Sequence, residues 1–132
     1  MSRLVLIVED SETCAETLQI ALESIPDVEV RSIHTPHAAI ALLNERYTEI
    51  VAIITDLNLD WGAAQSVGLG DGLDLIRQLR AEPRFARLPI LMISGNSDPR
   101  LSERALAQGA DAFFAKPYSP AAVRRKLEQL IC

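Results

Sequence analysis

Residues 50–58 constrain the fold of this chain more than any other stretch. They have the sequence IVAIITDLN, an apolar run rich in β-branched side chains that ends at Asp56. Such a run is typical of a strand buried on both faces, as in a parallel sheet. Ligands in open α/β sheets bind outside the carboxyl ends of the strands, which would give Asp56 a functional position. A lone acid after a core strand is nevertheless more typical of a simple turn, so the other strand ends decide between the two interpretations.

Four further segments have strand character and alternate with helical patterns. They are residues 4–8, 28–33, 90–93 and 112–115. Residues 28–33 mix polar with apolar side chains, which favours an edge strand, whereas the other three segments are almost entirely apolar. Because a strand is followed by a helix five times, we expect one doubly wound parallel sheet.

Helix starts are marked by capping residues. Ser11 precedes the first helical pattern, and three later patterns each begin with a capping oxygen followed by proline. These pairs are Thr35-Pro36, Asp98-Pro99 and Ser119-Pro120. Pro83 and Gly109 are expected to end the third and fourth helices.

Length and composition indicate one globular domain, residues 1–132. Of these residues 48% are hydrophobic and 23% charged, which suits a single sheet covered by helices. The net charge of −5 provides no basic surface for direct contact with nucleic acid or a membrane, and no apolar run approaches the roughly 20 residues needed to span a bilayer.

Cys14 and Cys132 have neither zinc-site spacing nor disulfide density, so we expect a cytoplasmic protein. His34 and His37 are expected at the surface rather than at a metal.

Polar side chains end four of the predicted strands. They are Glu9 and Asp10 after the first strand, Asp56 after the third, Ser94 after the fourth and Lys116 after the fifth. Three carboxylates meeting at one edge of a sheet would raise each other's pKa unless a cation joined them, and Mg²⁺ suits a site made of oxygen ligands alone. Asp56 is then the candidate nucleophile toward phosphorus, Lys116 the cation for phosphoryl oxygens and Ser94 a hydroxyl that bonds one of them.

This ordered set of residues resembles the receiver domain of two-component response regulators, and the resemblance covers nearly the whole chain. The matching segments are residues 8–10 (VED), 56–58 (DLN), 71–73 (DGL), 94–95 (SG) and 113–117 (FFAKP). Each segment alone is a weak signal, but five of them in this order are specific. The resemblance implies a flavodoxin-like fold, with a five-stranded parallel sheet in the order 2-1-3-4-5 and helices on both faces.

The resemblance also implies a role for each site residue. Asp56 is expected to be the phosphoacceptor and Lys116 the lysine that binds the phosphoryl group. Ser94 and Phe113 are expected to form the switch. The implied Mg²⁺ ligands are Glu9, Asp10, Asp56 and the backbone carbonyl of Asn58. A cis bond between Lys116 and Pro117 is a further expectation.

By the same resemblance the protein is a signalling switch. A histidine kinase or a histidine phosphotransfer protein would donate the phosphoryl group to Asp56, and the surface around the fourth helix and fifth strand would then change for a downstream protein effector. The only chemistry expected is self-phosphorylation and self-dephosphorylation, so the chain is not expected to be an enzyme. Two alternatives are an Mg²⁺-dependent phosphatase with an aspartate nucleophile and a pseudo-receiver that only binds partners.

Two features depart from the family pattern. Glu9 stands where aspartate is commoner, which lengthens one metal-binding side chain. Residues 59–70 form an insertion of roughly eight extra residues after the phosphoacceptor strand, and Asp60 replaces the usual proline. We hypothesise that this insertion is a flap whose Trp61 packs beside the site; the alternative is a surface excursion without a role.

Overall fold

The computed structural model describes residues 3–9, 11–56, 72–95 and 99–131. Within these residues five strands alternate with five α-helices, and a short 3₁₀ turn, Pro83–Phe85, lies before the fourth strand. The strands are β1 (Leu4–Val8), β2 (Glu29–Ile33), β3 (Ile50–Asp56), β4 (Ile90–Ser94) and β5 (Ala112–Ala115). The helices are α1 (Glu12–Glu23), α2 (Pro36–Glu45), α3 (Gly72–Ala81), α4 (Pro99–Gln108) and α5 (Pro120–Ile131).

All neighbouring strands are parallel, and their order is β2-β1-β3-β4-β5. The predicted doubly wound sheet and its strand order are therefore confirmed. Every residue of β1 is buried, whereas Arg31 of β2 is exposed, as expected of an edge strand. No helix among the described residues is both long and apolar enough to cross a membrane.

Alternate residues of the central strands face two separate hydrophobic cores. Ile53 packs in the core that α2, α3 and α4 cover, while Ile54 packs in the core beneath α1 and α5. Both side chains are fully buried. This two-sided burial explains why β3 is a continuous apolar run that stops only at its carboxyl end.

The helix boundaries follow the predicted caps. The side-chain oxygens of Ser11, Thr35 and Ser119 accept hydrogen bonds from backbone amides three residues later, at 3.5, 3.2 and 3.3 Å respectively. Asp98, the fourth predicted cap, lies outside the described residues. Gly109 ends α4 with a φ of 117°, a left-handed conformation that favours glycine.

Candidate functional site

The carboxyl ends of the strands bring the predicted site residues to one edge of the sheet. The register pairs Val8 with Thr55 across β1 and β3, so Glu9 follows at the level of Asp56. Across β4 and β5 it pairs Ser94 with Ala115, and Lys116 comes next. The backbone amide of Lys116 donates to the Ser94 carbonyl oxygen at 2.6 Å. Parallel pairing thus assembles residues that are far apart in the chain.

Lys116 lies between two carboxylates. Its Nζ atom is 3.0 Å from Oε2 of Glu9 and 3.0 Å from Oδ2 of Asp56. The side chains of Glu9 and Asp56 are only 1% and 5% exposed, whereas that of Lys116 is 24% exposed. One partly accessible ammonium group therefore compensates two almost completely buried acids.

Burial of Glu9 raises its pKa to about 7, and the hydrogen bond that it shares with Asp56 acts in the same direction. The amide of Ser11, which donates to Oε1 of Glu9 at 3.1 Å, and the ammonium of Lys116 oppose the shift without cancelling it. For Lys116, burial lowers the pKa, but the hydrogen bonds to Asp56 and Glu9 outweigh it and raise the pKa above its ordinary value. The sequence predicted a raised pKa from repulsion between acids, whereas burial contributes most.

This raised pKa of Glu9 predicts that the metal-free protein loses stability as the pH rises. A carboxyl group with a higher pKa in the folded than in the unfolded chain holds its proton more tightly when folded. Its contribution to stability is complete below the ordinary pKa of 4.5 and is lost as the pH rises through about 7. The free energy of unfolding of the wild type, measured by urea denaturation in EDTA, should therefore fall relative to that of Glu9→Gln between about pH 5 and pH 8.

The control for this prediction is Glu16→Gln, which removes an exposed carboxyl group on α1. The difference between the free energies of unfolding of Glu16→Gln and the wild type should not change over the same pH range. If the free energies of unfolding of wild type and Glu9→Gln differ by the same amount at every pH, the assignment of the raised pKa to Glu9 is wrong.

The two switch candidates lie on adjacent strands. Ser94 is fully buried at the end of β4. Phe113 in β5 is half-buried and packs against the core under α2, α3 and α4. Ser94 thus lies at the carboxyl end of the sheet with the site residues, whereas Phe113 pairs with Met92, two residues before Ser94; the switch role of both stays a prediction.

Several predicted features lie outside the described residues. They are Asp10, Asn58 and the insertion at residues 59–70 with its Trp61. Within residues 3–9, 11–56, 72–95 and 99–131, no group of three or more His, Cys, Asp and Glu side chains comes together that could hold a metal ion.

The bond between Lys116 and Pro117 is cis, as the resemblance implied.

Two features near the site were not predicted from the sequence. Nδ1 of His34, the residue after β2, lies 3.0 Å from the carbonyl oxygen of Glu9. A mostly apolar groove of about 420 Å³ adjoins Lys116 between α1 and the start of α5, and burial raises the pKa of its Tyr118 to about 12. The other residues that line this groove are Thr13, Cys14, Thr17, Pro117 and Pro120. In the sequence, the only sign of this groove is that Pro117 and Pro120 lie close to Lys116.

The fold and the site together define a flavodoxin-like α/β domain with two buried acids and a lysine at the carboxyl edge of its sheet. Residues 5–128 match the family model described as the response regulator receiver domain. The chain therefore belongs to the response regulator receiver domain family, the signalling domains of two-component systems.

Individual relatives agree with this assignment. The chain is 31% identical over 127 residues to the phosphate regulon transcriptional regulatory protein PhoB of Rhizobium meliloti (strain 1021), covering 96% of this chain and 51% of that protein. It is 25% identical over 126 residues to a chemotaxis protein CheY homolog of Campylobacter jejuni, covering 96% of this chain and 90% of that protein. The chain thus spans about half the length of PhoB and most of the CheY homolog.

A solved structure has the same fold. It is the receiver domain of the sensor histidine kinase PA1611 from Pseudomonas aeruginosa PAO1, with a magnesium ion coordinated in its active site cleft. The two structures superpose with a TM-score of 0.79 at 24% identity, covering 99% of this chain and 98% of that one. This likeness confirms the fold.

Proposed function

We propose that this chain is a phosphoryl-accepting switch in which Asp56 takes a phosphoryl group from a phosphohistidine donor. The donor would be a histidine kinase or a histidine phosphotransfer protein. The observation that supports this most directly is the position of Lys116, whose Nζ is 3.0 Å from Oδ2 of Asp56. A fixed cation beside a carboxylate at the carboxyl edge of a sheet suits transfer of an anionic group onto that carboxylate.

In the proposed transfer an oxygen of the Asp56 carboxylate attacks phosphorus. The bond between phosphorus and the donor's imidazole nitrogen breaks, its electron pair stays with the imidazole, and an acyl phosphate forms on Asp56. Charge on the transferred group is spread over its equatorial oxygens, so a nearby cation lowers the barrier. Lys116 supplies that cation from the partly exposed side of the site.

The residues present fit a divalent cation. Glu9 and Asp56 bring two almost buried carboxylates to a single ammonium group, and burial keeps the pKa of Glu9 raised despite the hydrogen bond from Lys116. We infer that these two acids, with Asp10 and the carbonyl of Asn58, hold Mg²⁺, as oxygen ligands suit this ion. When bound, Mg²⁺ would neutralise phosphoryl oxygens. A receiver domain of the same fold holds magnesium in its cleft.

The proposed output begins at Ser94. Its hydroxyl would bond a phosphoryl oxygen, and Phe113 would move into the space that Ser94 leaves. Phe113 is half-buried against the core, so part of its side chain is still exposed and would become buried by such a movement. The surface of α4 and β5 would then differ between the two states and would be recognised by a protein effector.

Intact-mass measurement with acetyl phosphate and Mg²⁺ tests the proposal. Wild type should gain the mass of one phosphoryl group, and Asp56→Asn should gain none, because an amide oxygen is a poor nucleophile. EDTA should also prevent the gain. Glu16→Gln, an exposed change of the same chemical kind, should behave as wild type.

Full phosphorylation of Asp56→Asn would overturn the assignment of the phosphoacceptor. No gain by wild type would favour the pseudo-receiver. Repeated turnover of an external phosphomonoester would favour the phosphatase.

A further inference from the structure

The carbonyl oxygen of Glu9 is bonded by a side chain of the neighbouring strand segment. Nδ1 of His34 lies 3.0 Å from this oxygen. Because a carbonyl oxygen can only accept, Nδ1 carries the proton of this hydrogen bond and donates it. His34 is exposed, whereas Glu9 is buried, so the hydrogen bond lies at the boundary between the acid and solvent.

The pairing of β1 with β2 explains what this side chain replaces. The amide of Glu9 donates to the carbonyl of Ile33, the last residue of β2, at 3.0 Å. In a parallel ladder, a residue that donates in this way accepts at its own carbonyl from the amide two residues further along the neighbouring strand. That amide would belong to Thr35. The imidazole of His34 instead donates to the Glu9 carbonyl, and so extends the pairing one step beyond β2.

Thr35 is committed to α2 rather than to the sheet. Its side-chain oxygen accepts from the amide of Ala38 at 3.2 Å, and its carbonyl accepts from the amide of Ala39 at 3.1 Å. Thr35 is therefore the N-cap of the helix, and the chain turns away from the strand direction at this residue. Because the helix begins here, the donor for Glu9 comes from the side chain of the residue before the cap.

The four polar groups of Glu9 are all bonded in this arrangement. Its amide and carbonyl bond the end of β2, through Ile33 and His34. Its Oε1 atom accepts from the amide of Ser11 at 3.1 Å, and its Oε2 atom accepts from Nζ of Lys116 at 3.0 Å. His34 is the exposed member of this set, so its side chain can be removed without leaving a cavity in the core.

The carbonyl that His34 bonds belongs to the peptide unit that joins Glu9 to Asp10. A peptide unit is planar, so fixing its oxygen fixes the orientation of the whole unit and the direction in which the chain continues. Glu9 and Asp10 are two of the proposed Mg²⁺ ligands. Groups that orient metal ligands without touching the metal contribute to metal affinity.

We infer that His34 is a positioning residue for the proposed metal site: its Nδ1–H group fixes the peptide between Glu9 and Asp10 and thereby raises the affinity for Mg²⁺. This role rests on the proposed function, whereas the hydrogen bond itself does not. His34 is not a metal ligand in this proposal. What the position requires is a hydrogen-bond donor attached to Cγ, as Nδ1 is.

Isothermal titration calorimetry with Mg²⁺ tests the inference on the unphosphorylated protein. His34→Ala removes the donor and should weaken Mg²⁺ binding about tenfold, the lower end of the usual effect of losing a group that orients a metal ligand. His34→Asn should bind almost as tightly as the wild type, because the amide nitrogen of asparagine is a donor attached to Cγ. The midpoint of urea denaturation in EDTA should barely move in either variant, since water can bond the freed carbonyl without fixing its direction.

The matched control is Ser32→Ala. Ser32 also lies in β2, and its hydroxyl donates to Oε1 of Gln19 in α1 at 2.7 Å. This variant removes a side-chain donor from the same strand but leaves the bond from His34 to Glu9 in place, so it should bind Mg²⁺ as the wild type does. Equal weakening in Ser32→Ala and His34→Ala would show a general effect of β2 and overturn the inference.

Nitrogen-15 NMR of the imidazole rings gives a measurement that does not depend on the metal. In EDTA at about pH 8, where an ordinary imidazole is neutral, His34 should carry its proton on Nδ1. A His34 ring protonated only on Nε2 would contradict the inference, because Nδ1 could not then donate to Glu9.

The titrations separate failure of this inference from failure of the proposed function. If the wild type binds Mg²⁺ and His34→Ala binds it equally well, His34 has no positioning role and the proposed function stands. His34→Asn as weak as His34→Ala would also refute the role, since a donor at this position would not matter. If the wild type binds no Mg²⁺ even in excess, the metal site of the proposed function is wrong and the role of His34 falls with it. Should His34→Ala not fold, His34→Leu, which keeps the bulk without a donor, replaces it with the same expectation.

Discussion

Replacing Lys116 with alanine is expected to slow phosphorylation of Asp56 by about a hundred- to a thousandfold, the usual cost of removing one fixed charge stabiliser from a reacting centre. Lys116 is the described cation that contacts the Asp56 carboxylate, at 3.0 Å. Removing it leaves the charge of the incoming phosphoryl group without that partner. The rate is measured from the gain in intact mass with time, with acetyl phosphate and Mg²⁺ in excess.

Loss of Lys116 should leave the fold intact at neutral pH. Glu9, whose pKa is already raised to about 7, would take up a proton and relieve the repulsion with Asp56. Thermal unfolding of the same samples checks this. Lys126→Ala, on α5, is the control and should react as wild type. A Lys116→Ala protein that is folded and phosphorylated within tenfold of the wild-type rate would show that Lys116 does not serve the transfer.

The largest effect on stability is expected from Ile53→Ala. Ile53 is fully buried in the central strand β3 and packs in the core under α2, α3 and α4. Truncating such a side chain removes buried surface and leaves a cavity, which should lower the free energy of unfolding by about 2–5 kcal/mol. Urea denaturation measures the change, with the slope of the transition as a check on two-state unfolding.

Ile20→Ala is the matched control, since the Ile20 side chain is 71% exposed on α1. Its effect should be within about 0.5 kcal/mol of zero, as for most surface substitutions. A similar loss from both variants would mean that burial in this sheet does not determine stability.

Much of the fold could be predicted because its signals are local. The apolar run of β3, the mixed pattern of β2 and the caps at Ser11 and Thr35 each depend on neighbours within a few residues. The convergence of Glu9, Asp56, Ser94 and Lys116 could be predicted as well, because parallel strands end at one edge. The contacts among these residues could not be predicted. The sequence assigned Lys116 to phosphoryl oxygens, whereas in the structure its ammonium group donates to both Glu9 and Asp56.

The hydrogen bonds of Arg80 in α3 show the limit of local signals. Four of the five acceptor groups are backbone carbonyls, which carry no mark in the sequence, and the acceptor Gly109 is 29 residues from Arg80. Gly109 was predicted only as the end of a helix. The same holds for Arg46, whose partner Glu29 is 17 residues away on another element.

The two-sided burial of β3 has a consequence for how chains of this kind can vary in length. One residue inserted within the strand would exchange its faces, sending Ile53 into the core of Ile54 and reversing every later side chain. Extra residues added after Asp56 leave that alternation untouched, and the entropic cost of a longer connection grows only slowly with its length. The insertion predicted at residues 59–70 would occupy such a permissive place in the sequence. The carboxyl end of the sheet, where the candidate site lies, is thus also a place where residues can be added without rebuilding the core.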